Sequence, residues 1–430
     1  MVLTYALMIP ALGALLVATA LFGADRPAAA LILSGMLLAV GAAGVWCRSR
    51  PRLGASTWAG LWGGAVVLLG QSLGPQPREA VPDLAVLIAA GAVYMTFAGM
   101  ASSARYADSV IRGMGVVLIV TGGAAFLDFV TSPETVYGQA KAYHETRLTA
   151  AFLSANTAAT LFGIATIFGL SGVLRVMGPG GRADMSSLFD RIGRAGTLPL
   201  LVLIFSLTCL VLTGSRGGLA ATFVASASLV MWTRRGAGAG GNIWIPAVVL
   251  AGIAALLVAA SGSVLGDRLS SGATEGNGRA LIWAVSMEAW KEAPLFGHGF
   301  GRFEAAIAQH ITADTAAVLS QQGAAHNLAL QWLVQAGIVG TAGGMVMLGA
   351  ALWPLRVGLK RRRRQRIVMK AKGAIALLVM LHGMVDYALE IPALVWWFSA
   401  CLGLGAGVAT ADKTPSRTRD RRQKRREVTL

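Results

Sequence analysis

Long apolar stretches alternate with short polar segments along almost the whole chain. A run of about 20 apolar residues is long enough to form a helix that crosses a membrane. Twelve such runs occur, and each predicts a transmembrane helix. They lie at 2–23, 27–47, 53–73, 83–102, 110–130, 151–176, 197–214, 217–232, 243–264, 325–353, 373–389 and 391–410. The predicted fold is therefore all-α, a polytopic membrane protein with about twelve transmembrane helices.

The composition agrees with this prediction. Hydrophobic residues make up 55% of the 430 residues and charged residues only 13%, whereas soluble domains are typically about 25% charged. The first apolar run lacks a basic segment before it, which indicates a retained helix rather than a cleaved signal peptide. The three cysteines, Cys47, Cys209 and Cys401, lie in or at the end of apolar runs, a pattern that supports neither a disulfide framework nor a zinc site.

Membrane topology accounts for the formal net charge of +17. With the N-terminus in the cytoplasm, 28 of the 37 Lys and Arg residues fall on the cytoplasmic side, the bias that orients membrane proteins. The basic run 360–364 and the basic tail 412–430 then lie beside helix ends, where anionic lipids are a better partner than nucleic acid. We expect a transmembrane domain at 1–411 and a disordered cytoplasmic tail at 412–430.

One long polar segment, 265–324, separates the ninth and tenth runs and falls on the periplasmic side. Apolar residues recur at helical spacing between Ala280 and Glu292, and again between Arg302 and Leu319. This spacing predicts two amphipathic helices, the first ending before Pro294. Helices of this kind lie along a membrane surface, so they would cover a cavity between the transmembrane helices.

Several basic side chains lie at the outer ends of apolar runs, where an unpaired charge is costly. They include Arg147 and Arg216, with the polar neighbours Ser215 and Asn156, and Arg268 and Arg279 bracket the glycine-rich start of the segment 265–324. A guanidinium fork pairs well with phosphate oxygens, so arginines that converge on one cavity suit a diphosphate. The alternative for each is a side chain that snorkels to water or pairs with a loop carboxylate. Arg216 and Arg279 are favoured because their neighbours are Gly, Ser and Asn.

Among the five histidines, His326 is the candidate general base. It opens the tenth run together with Asn327, at the water boundary, where an imidazole can exchange a proton near neutral pH. The alternative is a boundary residue that caps the helix. His382 and Asp386 are spaced i, i+4 and predict a pair inside the bundle, with functional and structural roles both open. The sequence contains no metal-binding or nucleotide-binding motif, so no metal and no cofactor is expected.

Three segments occur in the order of a known family. They are Thr213–Gly218, the stretch from Arg279 through Trp283 to Gly299, and His326-Asn327 followed by nine residues and Gly337-Ile338-Val339-Gly340. Together they resemble the O-antigen ligase/polymerase superfamily. The segment from Arg147 to Asn156 is similar to that superfamily's pattern R-x-x-G-x-F-x-x-x-N, with an alanine in place of the usual glycine.

The resemblance implies a metal-independent, inverting glycosyltransferase of the bacterial inner membrane, with its active site on the periplasmic face. Such an enzyme takes a glycan from undecaprenyl diphosphate and joins it to the lipid A-core, as an O-antigen ligase, or to a growing glycan, as an O-antigen or exopolysaccharide polymerase. By the same resemblance, Arg216 and Arg279, with Arg147, bind the diphosphate and His326 accepts the acceptor proton. The H-N-x9-G-x-x-G run favours the ligase. A twelve-helix transporter is the alternative from another class, although the polar candidates cluster at the outer boundary.

Overall fold

The computed structural model describes residues 2–46, 54–75, 77–141, 145–177, 193, 196–234, 265–320, 322–361 and 365–411. Fourteen α-helices occupy most of these residues. They are α1 (Val2–Ala20), α2 (Pro27–Trp46), α3 (Ala55–Ser72), α4 (Val81–Met100), α5 (Ala104–Thr131), α6 (Ala155–Met177), α7 (Thr197–Leu212), α8 (Arg216–Arg234), α9 (Leu265–Glu292), α10 (Phe303–Ala308), α11 (Ala313–Leu319), α12 (Leu328–Arg361), α13 (Arg366–Gly383) and α14 (Pro392–Thr410). The all-α prediction is confirmed.

Short irregular elements connect the outer ends of several helices. An antiparallel hairpin of β1 (Thr135–Val136) and β2 (Gln139–Ala140) lies between α5 and α6. Three single 3₁₀ turns lie at Phe22–Ala24, Ala150–Phe152 and Ala388–Glu390. The last two belong to the segments that position the candidate site.

Five of the described helices are long and apolar enough to cross a membrane. They comprise Val81–Met100, Tyr106–Thr131, Ala155–Met177, Leu328–Arg361 and Pro392–Thr410. Three further apolar helices, Ala6–Ala20, Pro27–Ala43 and Thr197–Leu212, are shorter. The protein is therefore a multi-pass membrane protein, while the full count of twelve crossings stays a prediction. The predicted run 243–264 and the tail 412–430 lie outside the described residues.

Helix α14 lies at the centre of the bundle, because both of its faces are covered by other helices. Trp396 and Trp397 are fully buried, and their indole N–H groups donate to the Val86 carbonyl at 3.2 Å and to the Thr19 hydroxyl at 3.0 Å. Gly403 faces the backbone of α4 so closely that a Cβ there would collide with it. Small residues at a helix contact permit this close approach, which is how membrane helices gain packing contacts.

Helix α12 is broken at Gly337, where the backbone has φ of +62°. A side chain at this position would collide with the backbone oxygen of Leu295 and would also strain the left-handed conformation. The break separates a short outer segment, 328–336, from a segment of 24 residues, 338–361, which spans about 36 Å and can cross a bilayer by itself. The helix predicted over 325–353 is thus found at Leu328–Arg361, with an interruption at Gly337 that the apolar pattern did not indicate.

The loop after α9 supplies hydrogen-bond partners for the backbone groups of α12 that the break at Gly337 leaves unpaired. The amides of Ile338 and Val339 donate to carbonyls of Pro294 and Leu295, at 2.9 and 3.1 Å. In the other direction, the loop amide of Gly299 donates to the Gln335 carbonyl at 2.9 Å. Backbone groups freed inside a membrane protein need such partners. The glycine-rich turn and the broken helix thus form one unit at one end of the bundle.

The segment 265–324 contains three helices, α9, α10 and α11, rather than the two predicted. The helix predicted over 280–292 is confirmed as the end of the longer α9, which stops before Pro294 as expected. The second predicted helix, 302–319, is divided into α10 and α11. The division arises because Thr312 and Thr315 form a capping box that starts a new helix.

Candidate functional site

A tight turn between α7 and α8 carries the first candidate arginine. Gly214 has φ of +57°, which lets the chain reverse direction within three residues. The Ser215 hydroxyl accepts the Gly218 amide at 3.3 Å and so caps the start of α8. Arg216, the first residue of that helix, is exposed and forms no ion pair with any described residue. Its guanidinium therefore lies at a positively polarised helix start, a favourable place for an anion.

Arg147 holds this turn against the segment before α6. Its Nε donates to the Thr213 carbonyl at 2.6 Å, and its Nη2 lies 3.5 Å from the Asn156 Oδ1. The same Asn156 oxygen accepts the Ser215 hydroxyl at 2.8 Å. Three of the predicted site residues, Arg147, Asn156 and Ser215, thus form one hydrogen-bonded network that fixes the backbone beside Arg216. The Nε and Nη2 atoms of Arg147 therefore have a structural role.

The alanine that replaces the usual glycine in the Arg147–Asn156 pattern is Ala150. It has φ of +49°, in the left-handed region, where a non-glycine residue costs about 1–2 kcal/mol. The position therefore favours glycine for its backbone conformation, and alanine, with the smallest side chain, is the mildest departure from it.

The second half of the site begins at the N-terminus of α12. The Asn327 side-chain oxygen accepts the Leu330 amide at 3.1 Å, and its nitrogen donates to the Met384 carbonyl at 3.1 Å. Asn327 is thus the residue that caps the helix and ties it to the end of α13. His326 lies one position before the cap with φ of +49°. A histidine in this strained conformation is held there by its surroundings, a feature that is frequent at functional sites.

The His326 ring lies between three side chains. Its Nε2 is 3.2 Å from the Gln322 Oε1, and its Nδ1 is 3.9 Å from the Asp386 Oδ1. The ring also packs edge-to-face on Tyr387, with centroids 4.9 Å apart. Asp386 is fully buried, and neither of its carboxylate oxygens nor the His326 Nδ1 has a hydrogen-bond partner among the described residues. A buried carboxylate without partners is costly, so its position beside a histidine calls for a functional explanation.

The predicted pairing of His382 with Asp386 is not formed. Helix α13 ends at Gly383, so Asp386 lies beyond the helix and the i, i+4 relation no longer brings the two side chains together. The His382 Nδ1 lies 2.8 Å from the Thr160 hydroxyl instead. Gly217, the residue after Arg216, faces the same imidazole, and a Cβ there would lie 3.3 Å from its Cδ2. His382 therefore connects the Arg216 turn with α6 and α13.

Arg279 also reaches this region from α9. It is half-buried and close enough to His382 for its charge to act on the imidazole, as does the charge of Asp386. Arg279 and Asp386 thus lie within electrostatic reach of His382, which packs against Gly217, the residue after Arg216. Arg268 lies in the first turn of α9, and its side chain is outside the described part of the structure.

Sequence reasoning missed Tyr387, the residue that connects the two halves of the site. Its ring touches His326, and its hydroxyl forms a hydrogen bond with Ser154, between Arg147 and Asn156. Burial raises the pKa of Tyr387 to about 12, with the charge of Asp386 adding to the effect, so the phenol stays neutral. No spacing rule indicated this tyrosine, because its partners come from distant parts of the chain.

These features define a polytopic membrane protein with basic side chains and a histidine gathered at the ends of its helices. Comparison with known proteins points the same way: residues 201–345 match the model of the family described as O-antigen ligase. The match covers about a third of the chain and includes Arg216, Arg279 and His326. It confirms the resemblance of the sequence to the O-antigen ligase superfamily. No curated protein matches the chain.

The family match supports an O-antigen ligase- or polymerase-type function in lipopolysaccharide biosynthesis. Members of this family are glycosyltransferase-like enzymes, and in general they take a lipid-linked glycan and a lipid A-core acceptor. Arg147, Asn156, His382 and Asp386 lie outside the matched residues.

Proposed function

We propose that the protein is a membrane glycosyltransferase that transfers a glycan from undecaprenyl diphosphate to an acceptor hydroxyl on the periplasmic face of the inner membrane. The observation that carries this proposal is the geometry of His326, whose Nδ1 faces a buried, unpartnered Asp386 at 3.9 Å. A histidine oriented by a carboxylate through one ring nitrogen can use the other as a general base.

The donor diphosphate binds Arg216 and Arg279 in this proposal, with Arg147 beside them. Arg216 is exposed at a helix start, and Arg279 lies within electrostatic reach of His382, which packs against the residues that follow Arg216. Two guanidinium groups neutralise charge on the diphosphate as it leaves, without needing a divalent cation. The hydrogen bonds of Arg147 to Thr213 and Asn156 keep the Arg216 turn in place during this step.

His326 removes the proton of the attacking hydroxyl in this mechanism. The Gln322 side-chain amide lies 3.2 Å from Nε2, so the acceptor hydroxyl reaches this nitrogen beside Gln322 when the ring proton is on Nδ1, facing Asp386. As the acceptor oxygen bonds to the anomeric carbon, its proton passes to Nε2 and the carbon–oxygen bond to the diphosphate breaks. The resulting imidazolium donates its Nδ1–H toward Asp386, and attack opposite the leaving group inverts the anomeric centre.

We propose ligation to the lipid A-core as the reaction, with polymerisation as the second candidate. The support for ligation is the H-N-x9-G-x-x-G run, in which Asn327 caps α12 and Gly337 breaks it. Purified protein given a lipid-linked glycan should form product with a lipid A-core acceptor. If product forms only when the acceptor is a second lipid-linked glycan, the protein is a polymerase.

The topology we propose has both ends of the chain in the cytoplasm, twelve crossings and the segment 265–324 in the periplasm. In a cysteine-free background, a thiol reagent that cannot cross the membrane should label Thr312→Cys, in the outer segment, in intact cells. It should not label Ser102→Cys, in the turn between α4 and α5, until the cells are permeabilised. Equal labelling of the two positions would rule out this arrangement.

Replacing Arg216 with lysine should impair transfer although the charge is kept. A lysine ammonium cannot form the two parallel hydrogen bonds of a guanidinium fork. Loss of a charged hydrogen bond costs about 1.5–3 kcal/mol, or roughly tenfold to a hundredfold in rate. The measurement is transfer by purified variant with a lipid-linked donor, together with donor binding.

The matched control is Arg356→Lys, because Arg356 stacks on Trp353 near the opposite end of α12. This variant should transfer at the wild-type rate. Normal transfer and donor binding by Arg216→Lys, at a normal protein level, would remove Arg216 from the diphosphate site.

A further inference from the structure

Three carboxyl groups from separate segments lie within electrostatic reach of one another near the connections between helices. Asp25 follows the first 3₁₀ turn, Asp83 lies in the first turn of α4, and Glu390 ends the third 3₁₀ turn. Asp25 and Asp83 both act electrostatically on Glu390. Asp25 is exposed and the other two are half-buried, so solvent reaches this group, which we call the carboxylate cleft, from the side of Asp25. None of the three forms an ion pair with a described residue.

Two buried amides form the floor of the carboxylate cleft. The side chains of Gln331 and Gln335 both hydrogen-bond to Glu390. Gln335 is only 4% exposed, and its Oε1 has no hydrogen-bond partner in the described part of the chain. A buried amide oxygen without a described partner, next to carboxyl groups without counter-ions, suits a ligand that donates hydrogen bonds.

The groups present suit hydroxyl ligands better than a metal ion. Within the described residues, no cluster of three His, Cys, Asp or Glu side chains has the geometry to hold a metal. Desolvation raises the pKa of Glu390 to about 8, with the charge of Asp83 adding to the effect, so this carboxyl keeps its proton at neutral pH. The cleft then offers both donors and acceptors. Sugar hydroxyls need both, because each hydroxyl donates one hydrogen bond and accepts others.

The carboxylate cleft adjoins the proposed base through two contacts. The Gln331 oxygen accepts the amide of Ala325, the residue before His326, at 2.7 Å. Tyr387, whose ring packs on His326, also lies within electrostatic reach of Asp25. A ligand held in the cleft is therefore next to His326. The arginines approach the site from α8 and α9 instead.

We infer that the carboxylate cleft of Asp25, Asp83 and Glu390 is the acceptor subsite, which binds the acceptor glycan through its hydroxyl groups. This inference rests on the proposed function. It divides the site into a basic half for the diphosphate donor and an acidic half for the acceptor, with His326 between them. Carboxylates exclude a second diphosphate from the acceptor half by charge repulsion.

The test uses Asp25→Asn and Asp83→Asn in the full-length protein. Each change removes a charged acceptor and keeps the shape of the side chain, and Asp25 is exposed, so its variant should fold. We expect the acceptor KM to rise tenfold or more, since hydrogen bonds to charged groups are the stronger ones. The donor KM, and kcat at saturating acceptor, should stay unchanged. Asp314→Asn, an exposed carboxylate in α11, is the control and should change neither KM.

A second measurement separates this inference from the proposed reaction. A core oligosaccharide, freed of its lipid, should bind wild-type protein without any donor, and each Asn variant should bind it at least tenfold more weakly. An unchanged acceptor KM and unchanged oligosaccharide binding in both variants would overturn the acceptor subsite while leaving transfer intact. Absence of transfer by the wild type, with Asp25-dependent oligosaccharide binding, would overturn the proposed function and keep the subsite.

Discussion

Replacing His326 with alanine should reduce glycan transfer by about 10²–10⁴-fold, the range that general-base catalysis contributes. The imidazole is the proton acceptor in the proposed mechanism, and no other described side chain lies at the same position between Gln322 and Asp386. The protein should remain folded, because Asn327 and not His326 caps α12. Donor binding should be kept, because Arg216 and Arg279 are unchanged. Single-turnover transfer and a donor-binding assay measure the two effects separately.

Two further variants make this test sharper. His326→Asn keeps a polar side chain that can contact Gln322 but cannot accept a proton, so it should be as inactive as the alanine variant. His310→Ala, which removes a histidine near Glu292 in the outer segment, should transfer normally. Near wild-type transfer by His326→Asn would reject the base assignment. Loss of donor binding in His326→Ala would instead move His326 into the diphosphate site.

The positions of most helices could be predicted from the sequence, because apolar runs of spanning length are a local signal. The break in α12 could not be predicted in the same way. The spacing of Gly337 and Gly340 is visible in the sequence, but glycine alone does not break a membrane helix. The break exists because the loop at 294–299, about forty residues earlier in the chain, supplies the missing hydrogen-bond partners.

The candidate site residues follow the same rule: a local sequence pattern could be recognised, but a contact that depends on how a helix ends could not be inferred from spacing alone. Ser215 and Arg216 share a turn whose glycines made it recognisable from the sequence. The pairing of His382 with Asp386 was predicted from i, i+4 spacing, and it fails because the helix ends at Gly383. A glycine near the end of an apolar run is a signal that a helix stops there. The end of α13 at Gly383 could therefore have been predicted from the sequence.

The contact between His326 and Asp386 joins residues sixty positions apart, and no local pattern indicates it. The same holds for the Gln335 amide and Glu390, which meet only once α12 and the third 3₁₀ turn are in place. The geometry of the candidate site thus depends on how the loops return to the bundle. The sequence indicated which polar residues lie at the ends of apolar runs, but not which of them meet.

Replacing Asp386 with asparagine should have the second large effect, a fall in kcat of about 10²–10⁴-fold, comparable with loss of the carboxylate that orients a catalytic histidine elsewhere. Asparagine has the same shape but cannot stabilise an imidazolium. The KM values for donor and acceptor should change little, because Asp386 is fully buried and the proposed mechanism gives it no contact with either substrate. Stability should stay the same or increase, since the variant removes a buried carboxylate that has no partner. A purely structural role for Asp386 predicts the opposite pattern, lower stability with a smaller loss of rate.

A double-variant cycle with His326 decides between these roles. If Asp386 acts only through the imidazole, Asp386→Asn should reduce the rate little further once His326 is already alanine, because residues that act as a unit are not additive. Asp314→Asn, the exposed carboxylate of α11, serves as the control in both backgrounds and should cost nothing. If the rate of the double variant instead falls by the product of the two single-variant factors, Asp386 acts independently of His326. A lower melting temperature for Asp386→Asn, with transfer reduced in proportion to the folded protein, would make it a structural residue.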